Sequence, residues 1–211
     1  MYLITTRPDI LYVVSVLYKF LNSPNEVLMK VAKRVLGYVK GTIDYGVRFS
    51  KYQNFKLWGF SDSDWAGSVE DIKSTSGYCF SFCSGYFSWC SKKQAIIAQS
   101  TAEAEFVAAT ASINQALWMK KIACDLGLEI KKSTEVFVDN QAAIAISHNP
   151  VFHGKIKHFN MKLYFLREVQ KDGLVNLVHC KMEEQLTDIF TKALPASKFE
   201  ILRMKLAIYS S

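Results

Sequence analysis

The fold is decided by the stretch Phe55–Asp64, FKLWGFSDSD, in which an apolar segment ends in two aspartates. Successive side chains of a strand point to opposite faces, so Trp58, Phe60, Asp62 and Asp64 share one face. That face changes from apolar to acidic at its end. A strand that leaves the core for a polar turn would show the same pattern. Alternation also does not indicate which of the two aspartates is the functional one. The stretch predicts a strand over residues 55–62 with candidate acids at its carboxyl end.

The rest of the chain predicts helices first and then a mixture of strands and helices. Apolar spacing and turn residues predict the following elements. Helices are expected over 10–21, 27–41, 101–126, 141–147, 160–171, 184–194 and 198–207, and strands over 77–83, 86–90, 134–138 and 174–180. Strands that form a meander and then alternate with helices indicate an α/β fold with a mixed sheet. The first two helices resemble a helical hairpin with a basic outer side.

Composition indicates a globular protein with a basic surface. Half of the 211 residues are hydrophobic and 21% are charged, which disfavours disorder. The longest apolar stretch, Ile10–Leu21, is too short to cross a bilayer, so no membrane is expected. The formal net charge of +7 favours a polyanionic partner such as nucleic acid. Scattered surface lysines on a protein with another role would give the same charge.

Two glutamates open the long predicted helix, and local chemistry separates them. Ser100 and Glu103 match a capping box, in which Glu103 reaches back to the N–H of the cap residue. Glu105 has no such structural role and lies between Ala104 and Phe106. A carboxylate near an apolar helix face needs a partner or a cation. The alternative is a partly exposed acid that the helix dipole favours.

Asp139 and Asp188 complete the set of candidate acids. Asp139 directly follows the predicted strand 134–138 and precedes a helix, a position where α/β proteins place ligand sites. It could equally be a plain helix cap. Taken alone, Asp188 is most simply part of the solvent face of an amphipathic helix.

The cysteines and histidines give little support for a metal site of another kind. Cys79, Cys83 and Cys90 fit no zinc spacing and are interpreted as small buried hydrophobic residues. His148, His153 and His158 have no cysteine or carboxylate among them at ligand spacing, so zinc is disfavoured there.

The order of the acids, together with local motifs, resembles the ribonuclease H region of copia-type LTR retrotransposon Pol polyproteins. The motifs occur in family order over nearly the whole chain. They are TRPDI (6–10), AKRVL (32–36), KGT (40–42), SDSDWAG (61–67), KSTSGY (73–78), SKKQ (91–94), STAEAE (100–105), DNQ (139–141), NPVFH (149–153), KH (157–158) and QLTDIFTK (185–192).

The resemblance implies a fold and a catalytic site. The implied fold is a ribonuclease H-like mixed five-stranded sheet with flanking helices, preceded by a small helical hairpin. Motif matching gives Asp62, Glu105, Asp139 and Asp188 as the catalytic acids, holding two Mg²⁺ ions for which Mn²⁺ could substitute. Asp64 becomes a neighbour of that site.

The resemblance also implies residues that contact nucleic acid. Lys73, Lys92 and Lys93 are candidates for phosphate contact, with ordinary solvated lysine as the alternative. Gln141 resembles a residue that touches the minor groove of the hybrid in cellular relatives.

The implied domains are a reverse-transcriptase C-terminal remnant over residues 1–50 and a ribonuclease H-like domain over residues 51–211. The implied function is Mg²⁺-dependent cleavage of the RNA strand of RNA–DNA hybrids during reverse transcription. No polymerase activity is expected, since the paired catalytic aspartates of a polymerase palm are missing. The expected partners are the hybrid and the remainder of the Pol polyprotein, in a cytoplasmic virus-like particle or in the nucleus. A catalytically inactive fragment that binds nucleic acid through a basic surface is the alternative, and an unfolded genomic relic is a third.

Overall fold

The computed structural model describes residues 2–50, 56–68, 70–82, 84–128, 130, 132–148 and 157–210, with the backbone alone at 157–160. Its helices are α1 (Tyr2–Thr6), α2 (Leu11–Lys19), α3 (Glu26–Gly41), α4 (Thr101–Asp125), α5 (Gln141–His148), α6 (Lys157–Lys171), α7 (Asp188–Thr191) and α8 (Ala196–Lys205). Its strands are β1 (Tyr45–Val47), β2 (Leu57–Asp64), β3 (Thr75–Phe82), β4 (Gly85–Lys93), β5 (Thr134–Val138), β6 (Val175–His179) and β7 (Ile208–Ser210). Short 3₁₀ turns cover Pro8–Ile10 and Met182–Glu184.

The predicted mixed five-stranded sheet is confirmed, with the strand order β4-β3-β2-β5-β6. Strands β2, β3 and β4 form an antiparallel meander, while β5 runs parallel to both β2 and β6. The hairpin between β3 and β4 needs only a tight turn, whereas each parallel pair needs a crossover, and α4 and then α5 with α6 provide them. The carboxyl ends of the neighbouring strands β2 and β5 therefore lie at the same edge of the sheet.

Strand β2 separates two hydrophobic cores, because its side chains alternate between the two faces of the sheet. Leu57 belongs to the core that contains Phe106 of α4 and Leu166 of α6. Phe60 belongs to the opposite core, with Phe190 of α7. The sheet is thus covered on both faces, which is typical of an α/β protein.

The first fifty residues pack against the second of these cores. Leu11 of α2 lies in the same cluster as Ile189 and Phe190. Strand β1 pairs antiparallel with β7, which ends the described chain. The division into domains 1–50 and 51–211 stays a prediction. In the structure the two parts share a hydrophobic core and a two-stranded sheet.

The predicted helix over 184–194 is wrong. Only Asp188–Thr191 is α-helical, and Gln185 before it has an extended backbone. The Gln185 side chain is fully buried and donates to the carbonyl of Ser61 at 2.9 Å. The spacing of apolar residues predicts a longer helix, because the hydrogen bond of Gln185 to a distant carbonyl has no periodic signal in the sequence that would reveal the break. Strands β1 and β7 were not predicted either, since three-residue strands are too short to show alternation.

Among the described residues, no helix is both long and apolar enough to span a bilayer.

Candidate active site

Asp62 and Asp139 are brought together by the parallel pairing of β2 and β5. In this register Phe60 lies opposite Phe137. Asp62 lies two residues after Phe60 and Asp139 lies two residues after Phe137, so the two aspartates are at equivalent positions on neighbouring strands. Asp62 is buried and Asp139 is half-buried. Asn140 rather than Asp139 caps the following helix, because its Oδ1 accepts from the Ala143 N–H at 3.0 Å. The alternative interpretation of Asp139 as a helix cap is therefore wrong, and its carboxylate is available for another role.

Glu105 reaches the same point from helix α4. Ser100 caps this helix by accepting from the N–H of Glu103 at 3.2 Å, as predicted. The Glu103 carboxylate accepts from the N–H of Gln99 at 2.7 Å, one residue earlier than the capping box predicted. Glu105 lies about half a turn further round the helix than Glu103, and its side chain is buried against β2. Its Oε1 accepts from the Ser63 N–H at 3.1 Å.

Asp62, Glu105 and Asp139 form a carboxylate cluster, which we call the acid triad. One oxygen from each of them lies within 4.8 Å of the others. Burial raises the pKa of Asp62 to about 6, with contributions from Asp188 and Asp139 that Lys192 and Thr191 oppose. Burial, followed by the charges of Asp62 and Asp139, raises the pKa of Glu105 well above its ordinary value. Burial also raises the pKa of Asp139.

The donor set of the acid triad suits a hard divalent cation. Glu105 is buried, and its Oε2 has no hydrogen-bond partner among the described residues. An unpaired buried carboxylate oxygen costs free energy unless a cation or a donor satisfies it. Carboxylate oxygens are the ligands that Mg²⁺ and Mn²⁺ prefer over nitrogen or sulfur. The residues present therefore fit a divalent cation of the kind that the family resemblance implied.

Asp188 borders the acid triad but is held by lysines. It is buried, so its interpretation as part of a solvent-exposed helix face is wrong. Its Oδ1 lies 2.6 Å from Nζ of Lys192, and its Oδ2 lies 2.5 Å from Nζ of Lys198. Thr191, one turn after Asp188, donates its hydroxyl to Oδ2 of Asp62. Helix α7 therefore places Asp188 next to Asp62 without making it part of the triad.

Gly77 allows this close approach of α7 to the sheet. It lies opposite Asp62 in the β2–β3 register. A Cβ added to Gly77 would lie 2.7 Å from Cγ2 of Thr191 and 3.0 Å from Cβ of Phe190. Any larger residue would push α7, and with it Asp188, away from Asp62.

Comparison with known proteins identifies relatives of this chain. The chain is 33% identical over 207 residues to "Retrovirus-related Pol polyprotein from transposon RE1" of Arabidopsis thaliana. It is 34% identical over 209 residues to "Retrovirus-related Pol polyprotein from transposon TNT 1-94" of Nicotiana tabacum. These alignments cover 98% and 99% of the chain. Over nearly its whole length, the chain is therefore homologous to one segment of retrovirus-related transposon Pol polyproteins. This confirms the resemblance to transposon Pol polyproteins inferred from the sequence motifs.

The chain spans only 14% and 16% of the length of these two Pol polyproteins. No protein-family model matches it. Among solved structures, it is similar to LC11-RNase H1 in complex with an RNA/DNA hybrid, at 14% identity and a TM-score of 0.47. That match covers 64% of this chain and 94% of the other. Because the TM-score is below 0.5, the fold class rests on the strand order of the sheet itself.

The lysines predicted to contact nucleic acid lie around strands β3 and β4 of this Pol region. Lys92 is exposed at the end of β4. Lys93, beside it, forms an ion pair of 2.6 Å with Asp71. Lys73 is half-buried just before β3, and Gln141 is exposed at the start of α5. Their roles remain predictions.

Other predicted residues lie outside the acid triad. Asp64 is half-buried, and its Oδ1 accepts from the N–H of Thr75. Burial raises its pKa to about 6, opposed by that hydrogen bond and by Lys19. Cys79 is buried, as predicted, whereas Cys83 and His153 lie outside the described residues.

Sequence reasoning missed the lysines and the buried glutamine at this site. Lys192 follows Asp188 by four residues, a spacing that favours an ion pair on a helix and could have been noticed. Lys198 pairs with Asp188 from helix α8, ten residues away, and no local pattern would reveal it. Gln185 also accepts from the Thr187 hydroxyl at 2.6 Å, which fixes the turn before α7.

The raised pKa values predict how the stability of the metal-free protein depends on pH. A carboxyl whose pKa is near 4 in the unfolded chain and about 6 when folded binds more protons in the folded state between these values. The contribution of Asp62 to the free energy of unfolding should therefore fall as pH rises from about 4 to about 6. Urea unfolding with EDTA, compared between the wild type and Asp62→Asn, measures this contribution. A wild-type stability that rises relative to the variant over that interval would contradict the prediction.

Proposed function

We propose that this chain is a ribonuclease H-type endonuclease that uses divalent metal to cleave the RNA strand of RNA–DNA hybrids. The observation that carries the proposal is the acid triad, with carboxylate oxygens within 4.8 Å of one another and a buried Glu105 oxygen that has no hydrogen-bond partner in the described part of the chain. Carboxylates this close repel one another unless protons or cations intervene. Homology to transposon Pol polyproteins supports a role in reverse transcription.

In this proposal, Asp62, Glu105 and Asp139 would hold Mg²⁺, with Mn²⁺ as a substitute. When bound there, two such ions would supply an activated water for attack on the phosphodiester and positive charge to stabilise the leaving oxygen. The Ser63 N–H and the Thr191 hydroxyl would keep Glu105 and Asp62 in place, since each donates to one carboxylate oxygen.

Asp188 is the proposed fourth metal ligand. Before its oxygens could reach a cation shared with Asp62, it would have to exchange part of its pairing with Lys192 and Lys198. The backbone of α7, anchored by Phe190 in the core, keeps Asp188 at the edge of the triad.

The proposed substrate and partners follow from charge and from the family. Lys73, Lys92, Lys93 and Gln141 would contact the hybrid, which is recognised by its shape and by its 2′-hydroxyl groups. The remainder of the Pol polyprotein would be the natural covalent partner. The site of action would be a cytoplasmic virus-like particle or the nucleus.

A direct test is cleavage of a labelled RNA–DNA hybrid with Mg²⁺, beside an Asp139→Asn variant. The wild type is expected to cut the RNA strand, and the variant is expected to lose the activity because it lacks one ligand charge. Double-stranded DNA of the same sequence serves as the substrate control. Equal cleavage by the wild type and the variant would defeat the proposal.

A second candidate function is nucleic-acid binding without catalysis. It is favoured by the pairing of both Asp188 oxygens with lysines, which leaves this acid neutralised in the fold. Such a protein would bind hybrid with an affinity that falls steeply as salt rises, and it would cut nothing. The cleavage assay therefore separates the two candidates.

A further inference from the structure

Lys192 occupies a distinctive position between two buried acids. Its Nζ lies 2.6 Å from Oδ1 of Asp188 and 3.6 Å from Oδ2 of Asp62. Among the described residues, no other cation forms an ion pair with both of these acids. Lys192 is therefore a charged ammonium at the edge of the acid triad.

The acids need such a charge when no divalent cation is bound. The side chains of Asp62 and Asp188 are 2% and 3% exposed, so water screens them poorly. Removing one partner from a buried ion pair leaves an uncompensated charge, which is strongly destabilising. A fold that holds these acids together without metal therefore depends on an internal cation.

The Lys192 side chain can also move from the acids into solvent. It is 42% exposed, in contrast to the acids it contacts. Lysine has a flexible four-carbon stem and a strongly hydrated ammonium group, so it can move to solvent at small cost. A divalent cation and the ammonium would both be attracted to Oδ2 of Asp62, and their mutual repulsion opposes joint occupancy.

The geometry points to Lys192 as a tethered counter-ion that neutralises the acid site in the metal-free protein and is displaced when divalent metal binds. This inference rests on the proposed metal site. It assigns to Lys192 a positioning role: it holds Asp188 and Asp62 in place and sets the metal concentration at which the site fills. Among the described residues, Lys198 forms its ion pair with Asp188 only, through Oδ2 rather than the Oδ1 that Lys192 contacts, so it competes less with metal at Asp62.

Isothermal titration calorimetry with Mn²⁺ and with Mg²⁺ tests the inference on the whole chain. Lys192→Met keeps the apolar stem and removes the charge. The variant should bind metal about tenfold more tightly, a change discounted for the partial exposure of the lysine. In EDTA, the same variant should unfold at a lower temperature than the wild type. Saturating metal should restore much of the lost stability, because it replaces the missing cation.

Lys198→Met is the matched control, since it removes one lysine charge from the same acid. Its metal affinity should change by less than about threefold, because Lys198 pairs with Asp188 and, unlike Lys192, is not among the ion pairs of Asp62 in the described residues. If Lys192→Met does not fold, Lys192→Gln keeps a hydrogen-bond donor near Asp188 and should show the same tightening. Unchanged or weaker metal binding by the Lys192 variants, or equal tightening in Lys198→Met, would overturn the inference.

These outcomes are distinct from a failure of the proposed function. If the wild type binds metal and Asp62→Asn does not, the metal site is supported, regardless of the metal affinity of the Lys192 variants. A wild type that binds no divalent cation in calorimetry overturns the metal site, and the role of Lys192 with it.

Discussion

Glu105→Gln should abolish most hybrid cleavage and at the same time stabilise the metal-free protein. The carboxylate is buried in the acid triad, and its Oε2 has no hydrogen-bond partner among the described residues. Removing one charged group that acts on a developing transition state costs on the order of 10²–10³ in rate, so a loss of that size is expected. Burial and the neighbouring acids raise the pKa of Glu105 well above its ordinary value, so its ionised form opposes folding.

The two halves of this prediction need separate measurements. Cleavage is followed with labelled hybrid under single-turnover conditions. Stability is followed by thermal unfolding in EDTA, where each kcal/mol gained raises the midpoint by about 2–4 °C for a chain of this size. Because the ligand is lost, Mg²⁺ should raise the midpoint of the variant less than that of the wild type.

Glu103→Gln provides a matched control in the same helix turn. Glu103 accepts from the N–H of Gln99 outside the acid triad, and a neutral amide oxygen can still accept that bond. Its cleavage rate should stay within about twofold of the wild type, as expected for a surface substitution. Equal losses in the two variants would show that the helix start, rather than the acid triad, controls activity.

Arg7→Met should cause the largest loss of stability, about 3–5 kcal/mol, because it leaves a buried carboxylate without its counter-charge. The Arg7 and Asp9 side chains are 7% and 0% exposed and form a 2.7 Å ion pair. The same guanidinium donates to the carbonyl and hydroxyl oxygens of Thr42, both at 2.8 Å. Tyr38 donates to Asp9 at 2.6 Å and accepts from Arg203 of α8 at 3.1 Å.

This network joins residues 1–50 to helix α8, so its loss should lower the free energy of unfolding of the whole chain. Urea unfolding, followed both by tryptophan fluorescence and by circular dichroism, should show one transition that shifts as a unit. A separate early transition in Arg7→Met, with the rest of the chain unaffected, would instead show that residues 1–50 unfold as an independent part.

An exposed ion pair provides the control for this loss. Lys56 and Glu135 are 2.6 Å apart, but their side chains are 48% and 36% exposed. Glu135→Gln should therefore cost less than about 1 kcal/mol. A loss in Glu135→Gln comparable to that in Arg7→Met would mean that burial does not determine the strength of these pairs.

Local sequence patterns predicted the elements that carry strong periodic or capping signals. Strand β5 has the predicted bounds, and α4 ends one residue before its predicted end. The Ser100 cap was predictable because capping needs only residues within one turn. The order of the acids together with the family motifs identified Asp62, Glu105 and Asp139 as candidates, and the fold brings these three together.

Long-range contacts could not be predicted from such patterns. Asp188 is buried because Gly77, more than a hundred residues earlier, lets α7 lie close to β3. The extended turn at Gln185 depends on a bond to Ser61, which is equally distant in sequence. The choice between Asp62 and Asp64 rested on family motifs, and the β2–β5 register places Asp62 in the acid triad. In each case the deciding partner lies far away in sequence, where spacing carries no information.

The most direct test of the metal site is anomalous diffraction from a crystal of the protein soaked in Mn²⁺. We predict a strong peak bonded to carboxylate oxygens of Asp62, Glu105 and Asp139, with the Lys192 ammonium moved away from Asp62. A soaked crystal with no peak among these three acids, and with Lys192 still between Asp188 and Asp62, would contradict it.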